Sequence, residues 1–325
     1  MAQRLTLDQQ IEALNALESA PLSEETLAQL RKAIEGAQSL LAARAAGIIG
    51  RRGLSDFADA LSQAFHRFLE NPAKSDKGCV AKTAITEALN RLQSRDSEVF
   101  LLGIRHTQME PTWGGQQDTA DQLRSHCAAA LVRLGHPRMF HELASLLMDR
   151  EAHPRRAAVE ALASLSCKES ELLLRMKVLA GDEKADVIVE CLSALMGIDP
   201  DESLDFVAGY IDSGNPLVAE GAAMALGESH RLEAFEVLRR AWENSIQSDF
   251  KKLLLAPIAQ IRREESFEFL VQVVEEEHKA LAMEALDALT LYASGDDARR
   301  RRVEQAVDAR DDRELKAVFE KEFRQ

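Results

Sequence analysis

Apolar residues recur along this chain at helical spacing, and one pair of them returns at a nearly constant interval. The dipeptide Ala-Leu ends at Leu131, Leu162, Leu195, Leu226 and Leu289. These leucines are 31, 33, 31 and 63 residues apart, and Ile258 occupies the missing position inside the double interval. A fixed period of this length is typical of a repeat array, in which each unit buries its apolar face against its neighbours.

Each period has the same order of small and polar positions. A small residue four positions before the leucine shares its side of a helix and lets a second helix approach closely. An acidic or amide residue 13 or 14 positions before the leucine suits a turn or a helix N-cap. The small residues are Cys127, Ala158, Cys191, Ala222 and Ala285, and the polar residues are Asp118, Asp149, Asp182, Asp212, Asn244 and Glu276. One period is therefore predicted as helix A, a turn, helix B and another turn, and no alternating β-branched or aromatic run indicates a strand.

These patterns predict an all-α protein, a right-handed superhelical solenoid of about eight helical pairs that forms one domain over residues 1–325. Residues 1–53 should form an N-terminal cap and the first repeat, with Thr6 and Ser23 as helix N-caps. Repeats should fill 54–293, and polar helices in 294–325 should close the array. An insertion at 107–117 interrupts the repeats, because 42 residues separate Leu89 from Leu131.

The segment from His153 to Leu162, His-Pro-Arg-Arg-Ala-Ala-Val-Glu-Ala-Leu, resembles the second helix of HEAT-like repeats in their short form. Phycobilin lyase-type proteins carry repeats of this form, and the likeness covers roughly residues 80–292. In HEAT-type arrays the second helices line the concave surface, so the resemblance implies a groove there. The same fold also occurs in lyases, iron-dependent hydroxylases and alkylpurine DNA glycosylases, so an enzyme stays open as the alternative class.

Composition agrees with a helical array and narrows the class of partner. Hydrophobic residues make up 46% of the 325 residues and charged residues 29%. The net charge of −14 opposes binding to a polyanion, so nucleic acid is not predicted as a partner. No apolar run approaches ~18 residues, and the N-terminal segment does not have the pattern of a signal peptide. We therefore expect a cytoplasmic protein with no membrane partner.

The residue types that carry catalysis or bind metals form no motif in this sequence. The four cysteines include no C-x-x-C pair, and Cys127 and Cys191 occupy the small packing position of the repeat. One His-Glu pair, His141-Glu142, supplies too few ligands for the dinuclear site of the iron-dependent hydroxylases. Gly114-Gly115 lacks the lysine and the preceding strand of a phosphate loop. We therefore predict no catalytic, cofactor-binding or metal-binding residue, and no cofactor.

Two features remain as candidates for binding a partner. The insertion contains Glu110 and Trp113, and insertions into repeat arrays often mark the binding face, although Trp113 could instead pack on its own repeat. On helix B, acidic residues two, five or six positions before the leucine share the face opposite the packed side. These residues are Glu87, Glu160, Glu190, Glu220, Glu284 and Asp287. They form either an ordinary solvated face or an acidic groove that attracts a basic segment.

The sequence therefore favours a non-catalytic scaffold that binds a protein partner with a basic segment. The predicted partner-binding residues are Glu110, Trp113, Glu160, Glu190, Glu220 and Glu284. The alternative is a HEAT-like enzyme or lyase-type subunit that acts on a bound cofactor. Absorption spectra and metal analysis of the purified protein separate the two classes, because a scaffold should show neither chromophore nor metal.

Overall fold

The structure is a computed structural model that describes residues 6–292 and 297–323. The chain divides into two compact units, residues 1–165 (unit 1) and residues 166–325 (unit 2). Residues 1–5, 293–296 and 324–325, which belong to the predicted caps and the last repeat, lie outside the described residues. In the described ranges, no α-helix combines the length and the apolar content that crossing a bilayer requires.

Unit 1 is a stack of helical pairs preceded by one further helix. Its helices are α1 (Leu7–Ala16), α2 (Glu24–Glu35), α3 (Ser39–Arg51), α4 (Ala58–Leu69), α5 (Pro72–Ser75), α6 (Val80–Arg91), α7 (Ser97–Ile104), α8 (Asp121–Arg133), α9 (Met139–Leu146) and α10 (Ala152–Leu165). The pairs are α2 with α3, α4 with α6, α7 with α8, and α9 with α10. The second helices α3, α6, α8 and α10 pack on one another in chain order and form what we call the B layer of unit 1.

Unit 2 repeats this arrangement. Its helices are α11 (Lys168–Ala180), α12 (Ala185–Ile198), α13 (Pro200–Ala208), α14 (Pro216–Glu228), α15 (Leu232–Asn244), α16 (Ser248–Gln260), α17 (Glu264–Glu276), α18 (Lys279–Leu289), α19 (Asp297–Ala309) and α20 (Arg313–Phe323). Each odd-numbered helix pairs with the helix that follows it, and α12, α14, α16, α18 and α20 form the B layer of unit 2. The prediction of an all-α fold built from repeated helical pairs is confirmed. The described residues contain four pairs in unit 1 and five in unit 2, slightly more than the eight predicted.

Five of the eight polar residues predicted at turns and helix starts act there as hydrogen-bond acceptors, whereas Asn244 and Glu276 are the last residues of α15 and α17. Thr6 and Ser23 cap α1 and α2, since their side-chain oxygens accept from the backbone N–H of Gln9 and Thr26. Carboxylates between helices A and B accept from the backbone N–H two residues later, which closes the turn. Asp118 accepts from Ala120 at 3.0 Å, Asp149 from Glu151 at 2.9 Å and Asp182 from Lys184 at 2.8 Å.

Small residues let the helices approach closely, as the spacing predicts. A Cβ atom on Gly103 of α7 would lie 2.5 Å from the Sγ of Cys127 in α8. In unit 2, a Cβ atom on Gly227 of α14 would lie 2.4 Å from the carbonyl oxygen of Pro257 in α16. Both distances are far inside van der Waals contact, so these positions admit only glycine without a shift. Cys127 and Cys191 are fully buried, which confirms their prediction as packing residues.

The insertion forms a two-stranded antiparallel hairpin, which corrects the prediction that the chain contains no strand. Strand β1 (Met109–Thr112) pairs with β2 (Gly115–Asp118), with Met109 opposite Asp118 and Thr112 opposite Gly115. Gly114 adopts a φ of 98° in the two-residue turn, a conformation that favours glycine. Hydrophobic alternation could not reveal strands of four residues with mostly polar side chains, which backbone hydrogen bonds and buried polar contacts hold instead.

Candidate functional site

The turn of the hairpin places Trp113 in water. Its side chain is fully exposed, and the glycines that follow it meet no neighbouring atom within 4 Å of where a Cβ would lie. The indole therefore does not pack on its own repeat, which was the alternative that the sequence left open. Met109, at the start of β1, is also partly exposed. An unpacked indole on a short turn is a typical binding anchor.

Glu110, the other predicted binding residue of the insertion, lies at the base of the hairpin and is buried. Its Oε1 accepts from the backbone N–H of Gly78 at 2.7 Å, from Gln108 Nε2 at 2.6 Å and from Thr119 Oγ1 at 3.1 Å. Burial alone would raise the pKa of this carboxyl, but these hydrogen bonds outweigh it and hold the pKa below its usual value. Glu110 therefore holds the hairpin to the loop around Gly78.

A buried ion pair fixes that loop. Lys82 and Asp76 are both fully buried, and Lys82 Nζ donates to Asp76 Oδ2 at 2.9 Å and to the carbonyl of Phe68 at 3.3 Å. Asp76 also accepts from the backbone N–H of Ala81 and of Lys82. Gln108 links this pair to the hairpin, because its Nε2 donates to the Asp76 carbonyl at 2.7 Å. The hairpin thus stands on a satisfied polar network.

The other strand of the hairpin is fixed by a second ion pair. Arg124 Nη1 lies 2.8 Å from Asp118 Oδ2, and its Nε and Nη2 donate to the two carboxylate oxygens of Asp149 at 2.7 and 2.9 Å. Burial would raise the pKa of Asp118, yet hydrogen bonds from Gln108 and Ala120 and the Arg124 charge lower it overall. Asp118 is therefore ionised at neutral pH and joins the hairpin to α8.

These pairs follow a rule that the sequence analysis missed. In three consecutive repeats of unit 1, an acid 13 residues before the leucine or its equivalent precedes a base by six residues: Asp76 and Lys82, Asp118 and Arg124, Asp149 and Arg155. Arg155 donates to the Asp149 carbonyl at 2.8 Å. We call these pairs the ladder of unit 1. The signal that could have revealed them is a basic residue seven positions before the leucine. This residue lies about two helical turns away from the leucine, on the same packed side of helix B.

A polar groove of about 390 Å³ lies beside the hairpin, between the N-terminal halves of α6 and α8. Its walls include Thr83 and Glu87 from α6, Gln122 from α8, Gln117 from β2 and Thr119, which follows β2. Glu87, one of the acidic positions predicted for helix B, is half-exposed and pairs with Arg91 at 2.8 Å. This groove offers hydrogen-bonding groups next to the apolar side chains of Val80 and Ala84.

Two histidines and a serine lie near one another on the same layer. His153 Nδ1 is 2.8 Å from Ser125 Oγ, and the Ser125 hydroxyl donates to the Asp121 carbonyl at 3.0 Å. Because a hydroxyl has one hydrogen, this bond leaves the His153 ring as the donor, and the ring does not act as a base toward Ser125. Burial lowers the pKa of the neighbouring His126. The arrangement does not activate a nucleophile.

The buried cysteines are also unsuited to nucleophilic chemistry. Burial raises the pKa of Cys79 and of Cys191 to about 12, and it raises the pKa of Cys127 as well. A thiol with such a pKa is protonated at neutral pH, and the thiolate is the reactive form. Among the described residues, no three His, Cys, Asp or Glu side chains are arranged to hold a metal ion.

The predicted acidic residues of helix B lie on separate helices of the two B layers. In unit 1, Glu160 of α10 is exposed. In unit 2, Glu220 of α14 and Glu284 of α18 are exposed, and Glu190 of α12 is half-buried. The row in unit 2 is not continuous, because Ala256 occupies the corresponding face of α16. The structure therefore does not bring these glutamates together with Glu110 into one compact cluster within either unit.

No family model matches the chain, and no curated protein matches it. Solved structures with a similar backbone include the CpcE–CpcF complex of phycocyanin lyase from Nostoc sp.. The two chains are 15% identical, and the match covers 90% of this chain and 98% of that one with a TM-score of 0.35. A mutant of Kap121p is similar at 14% identity over 99% of this chain and 46% of that one, with a TM-score of 0.47. Human deoxyhypusine hydroxylase is similar at 14% identity over 89% and 91%, with a TM-score of 0.30. At these scores the fold assignment rests on the helical pairs described above.

Proposed function

We propose that this chain is a non-catalytic scaffold that binds a protein partner, with Trp113 as the apolar anchor. The observation that carries the proposal is the full exposure of Trp113 on a hairpin held by buried polar contacts. A tryptophan that becomes desolvated in an interface typically contributes ~2 kcal/mol or more to binding. A hairpin that is already ordered loses little further conformational entropy on binding, which favours affinity.

Within this proposal, the predicted binding residues have two different roles. Glu110 positions the hairpin and does not itself contact the partner, since its side chain is buried and its Oε1 accepts from Gly78, Gln108 and Thr119. The exposed Glu160, Glu220 and Glu284, with the half-buried Glu190, attract a basic segment of the partner and speed the encounter. A cytoplasmic location, one array over residues 1–325 and repeats of the short lyase-like form remain parts of the proposal.

The test uses a photo-reactive residue, benzoylphenylalanine, at position 113 of the full-length chain in its native host. We expect one dominant cross-linked protein, identified by mass spectrometry. The same residue at Leu179, an exposed apolar position on α11, is the matched control and should not give that product. The identified partner should then dissociate faster from Trp113→Ala, by roughly the thirtyfold that ~2 kcal/mol represents. Equal cross-linking from both positions, or unchanged dissociation, contradicts the proposal.

Charge reversal tests the second role. Changing Glu160, Glu190 and Glu220 to Lys should slow association with the identified partner and weaken its salt dependence, while dissociation changes little. The helical circular dichroism signal should stay unchanged, because none of these side chains belongs to the apolar core. Association at the wild-type rate contradicts the acidic contribution alone and leaves the anchor to the cross-linking test.

A further inference from the structure

Unit 2 contains a groove of about 700 Å³ between the N-terminal halves of α14 and α16. This volume falls within the range of ~300–1,000 Å³ that ligand pockets occupy. Apolar side chains line much of it: Ile211, Pro216, Ala219, Ala241, Ile246, Phe250 and Leu253. Asp212 and Asp249 are exposed at the same groove. The site therefore combines an apolar floor with a negative rim.

This groove occupies the same place in the repeat as the polar groove of unit 1. Each groove lies between the N-terminal halves of two successive helices of the B layer, next to the turns that precede these helices. In unit 1 the hairpin stands at the second of these turns, whereas in unit 2 only residues 245–247 connect α15 to α16. Ile246 in this short turn is 99% exposed. The unit 2 groove is thus open where the unit 1 groove has a hairpin beside it.

A missing ladder residue explains why the groove exists. In unit 1 the position seven residues before the leucine holds Lys82, Arg124 or Arg155, whereas the same position in α14 holds Ala219. The acid at the preceding turn, Asp212, lies one residue earlier than the ladder acids do, seven residues before Ala219, and Ser213 holds the ladder position. Asp212 is exposed, and no ion pair involving it occurs among the described residues. Ala219 and Asp212 both line the groove. The cavity therefore lies where a basic side chain would lie if the ladder continued.

Charge around the groove favours a cation. Residues 166–325 contain 34 of the chain's 54 acidic residues and 21 of its 40 basic residues, a net charge of −13 out of −14. Asp249 is fully exposed and lies 3.8 Å from Lys252, a pairing that leaves it accessible to a ligand. Glu220, next to Ala219 in α14, adds a further exposed carboxylate.

We infer that this groove binds an extended peptide segment of another protein, with a Lys or Arg directed at Asp212 and a large apolar side chain on the floor near Phe250. The basic residue takes the place in unit 2 that Lys82, Arg124 and Arg155 occupy in unit 1. The chain's own hairpin is not the occupant, because residues 109–118 contain no Lys or Arg to match the rim. The inference concerns a different surface from the Trp113 anchor and does not depend on it.

The probe is a phage-displayed library of random nonapeptides, selected on the full-length chain. We expect enriched sequences to share one Leu, Ile, Phe or Trp next to a Lys or Arg. A fluorescein-labelled copy of the strongest sequence then gives a dissociation constant by anisotropy. Asp212→Lys with Asp249→Lys should weaken this binding at least tenfold, because each reversed charge repels the basic residue. Asp186→Lys with Asp287→Lys makes the same charge change at exposed acids elsewhere in unit 2 and should have a much smaller effect.

A second variant tests the missing-residue explanation directly. Ala219→Arg should fill the groove and pair with Asp212, so it should abolish peptide binding and raise the thermal midpoint of unfolding. Trp113→Ala should bind the peptide as the wild type does, which separates this site from the proposed anchor. The inference is overturned by a selection that yields no binder or no basic-apolar motif, or by groove variants that bind like the wild type. Sedimentation that shows a dimer broken by Ala219→Arg also overturns it, since a second copy would then be the occupant.

Discussion

The two units use the same helical pair but treat its charged positions differently. Unit 1 buries acid–base pairs along its ladder, with Lys82 and Asp76 fully inside, and its own net charge is only −1. Unit 2 keeps the turn acids Asp182 and Asp212 but has Ile188 and Ala219 where the ladder bases would lie. Asp182 pairs instead with Lys177 of α11 at 2.8 Å, and Asp212 stays exposed.

This difference shows how one repeat pattern yields two kinds of surface. A buried charge requires a partner, because an unpaired ion in the interior is strongly unfavourable. Unit 1 meets this requirement internally, and its satisfied network leaves a polar groove and a fixed hairpin. In the repeat of α13 and α14, unit 2 has Ala219 in place of the base, so Asp212 faces water and a cavity remains beside it, whereas the Asp182 side chain is buried with Lys177. The first unit therefore presents a rigid projection, and the second presents a negative recess.

Breaking the ladder should produce the largest effect. Lys82→Met leaves Asp76 buried without its charge partner and should destabilise the fold by about 3–5 kcal/mol. Denaturant unfolding followed by circular dichroism measures the loss. Hydrogen exchange should accelerate at residues 76–82 and 108–119, which share the network, while peptides of unit 2 serve as the internal control.

Glu87→Gln, which breaks an exposed pair with Arg91, is the matched control and should cost ~0.5 kcal/mol or less. Equal losses in the two variants would contradict the importance of the buried pair.

Shortening a buried side chain on the apolar side of helix B should cause the next largest loss of stability. Leu162 is fully buried and Glu160 is exposed two residues away on the same helix, α10. Leu162→Ala should cost ~2–5 kcal/mol through lost burial and a cavity, whereas Glu160→Ala should cost ~0.5 kcal/mol or less. Denaturation midpoints of the two variants give the comparison. Similar costs would mean that the leucine has been assigned to the wrong face of helix B. The ladder and groove positions, which are counted from that leucine, would then be wrong as well.

Adding a methyl group where two helices of unit 2 pack closely should cause a smaller loss of stability, and a second glycine offers a matched control. Gly227→Ala places a Cβ 2.4 Å from the Pro257 carbonyl oxygen, and backbone atoms cannot move away cheaply. Overpacking of this kind typically costs ~1–3 kcal/mol. Gly197→Ala in α12 meets no atom within 4 Å and should instead stabilise by about 0.5–1 kcal/mol, because alanine favours a helix. Thermal unfolding of both variants tests the contrast, and two shifts in the same direction would contradict it.

These features were predictable from the sequence to different degrees. The Ala-Leu period sufficed for the helical pairs, because periodic apolar positions determine which faces must be buried. Turn acids such as Asp149 were also recognised, since their role depends on neighbours in sequence. The hairpin was missed because its strands are short and polar, and Gln108 and Asp76 are 32 residues apart. Exposure of Trp113 and the cavity beside Ala219 depend on what does not pack against them, which no local pattern indicates.

Acid titration should sharpen the comparison at the level of single carboxylates. Asp118 of the ladder has a lowered pKa in the folded chain. Its ionised carboxylate therefore adds to the free energy of unfolding at any pH above its unfolded pKa of ~3.9. This stabilisation is lost as the pH falls through the lower pKa of the folded chain. At pH 7, Asp118→Asn should therefore cost about 1.5–3 kcal/mol, the range for a hydrogen bond to a charged group. That difference from the wild type should shrink progressively below about pH 4, because the wild-type carboxyl then becomes protonated as well. Asp212→Asn, at the exposed acid without an ion pair in the described residues, should differ from the wild type by ~0.5 kcal/mol or less. Urea denaturation of the three proteins between pH 3 and 7 measures these differences. A cost for Asp118→Asn that is independent of pH would show that the Asp118 charge does not stabilise unit 1.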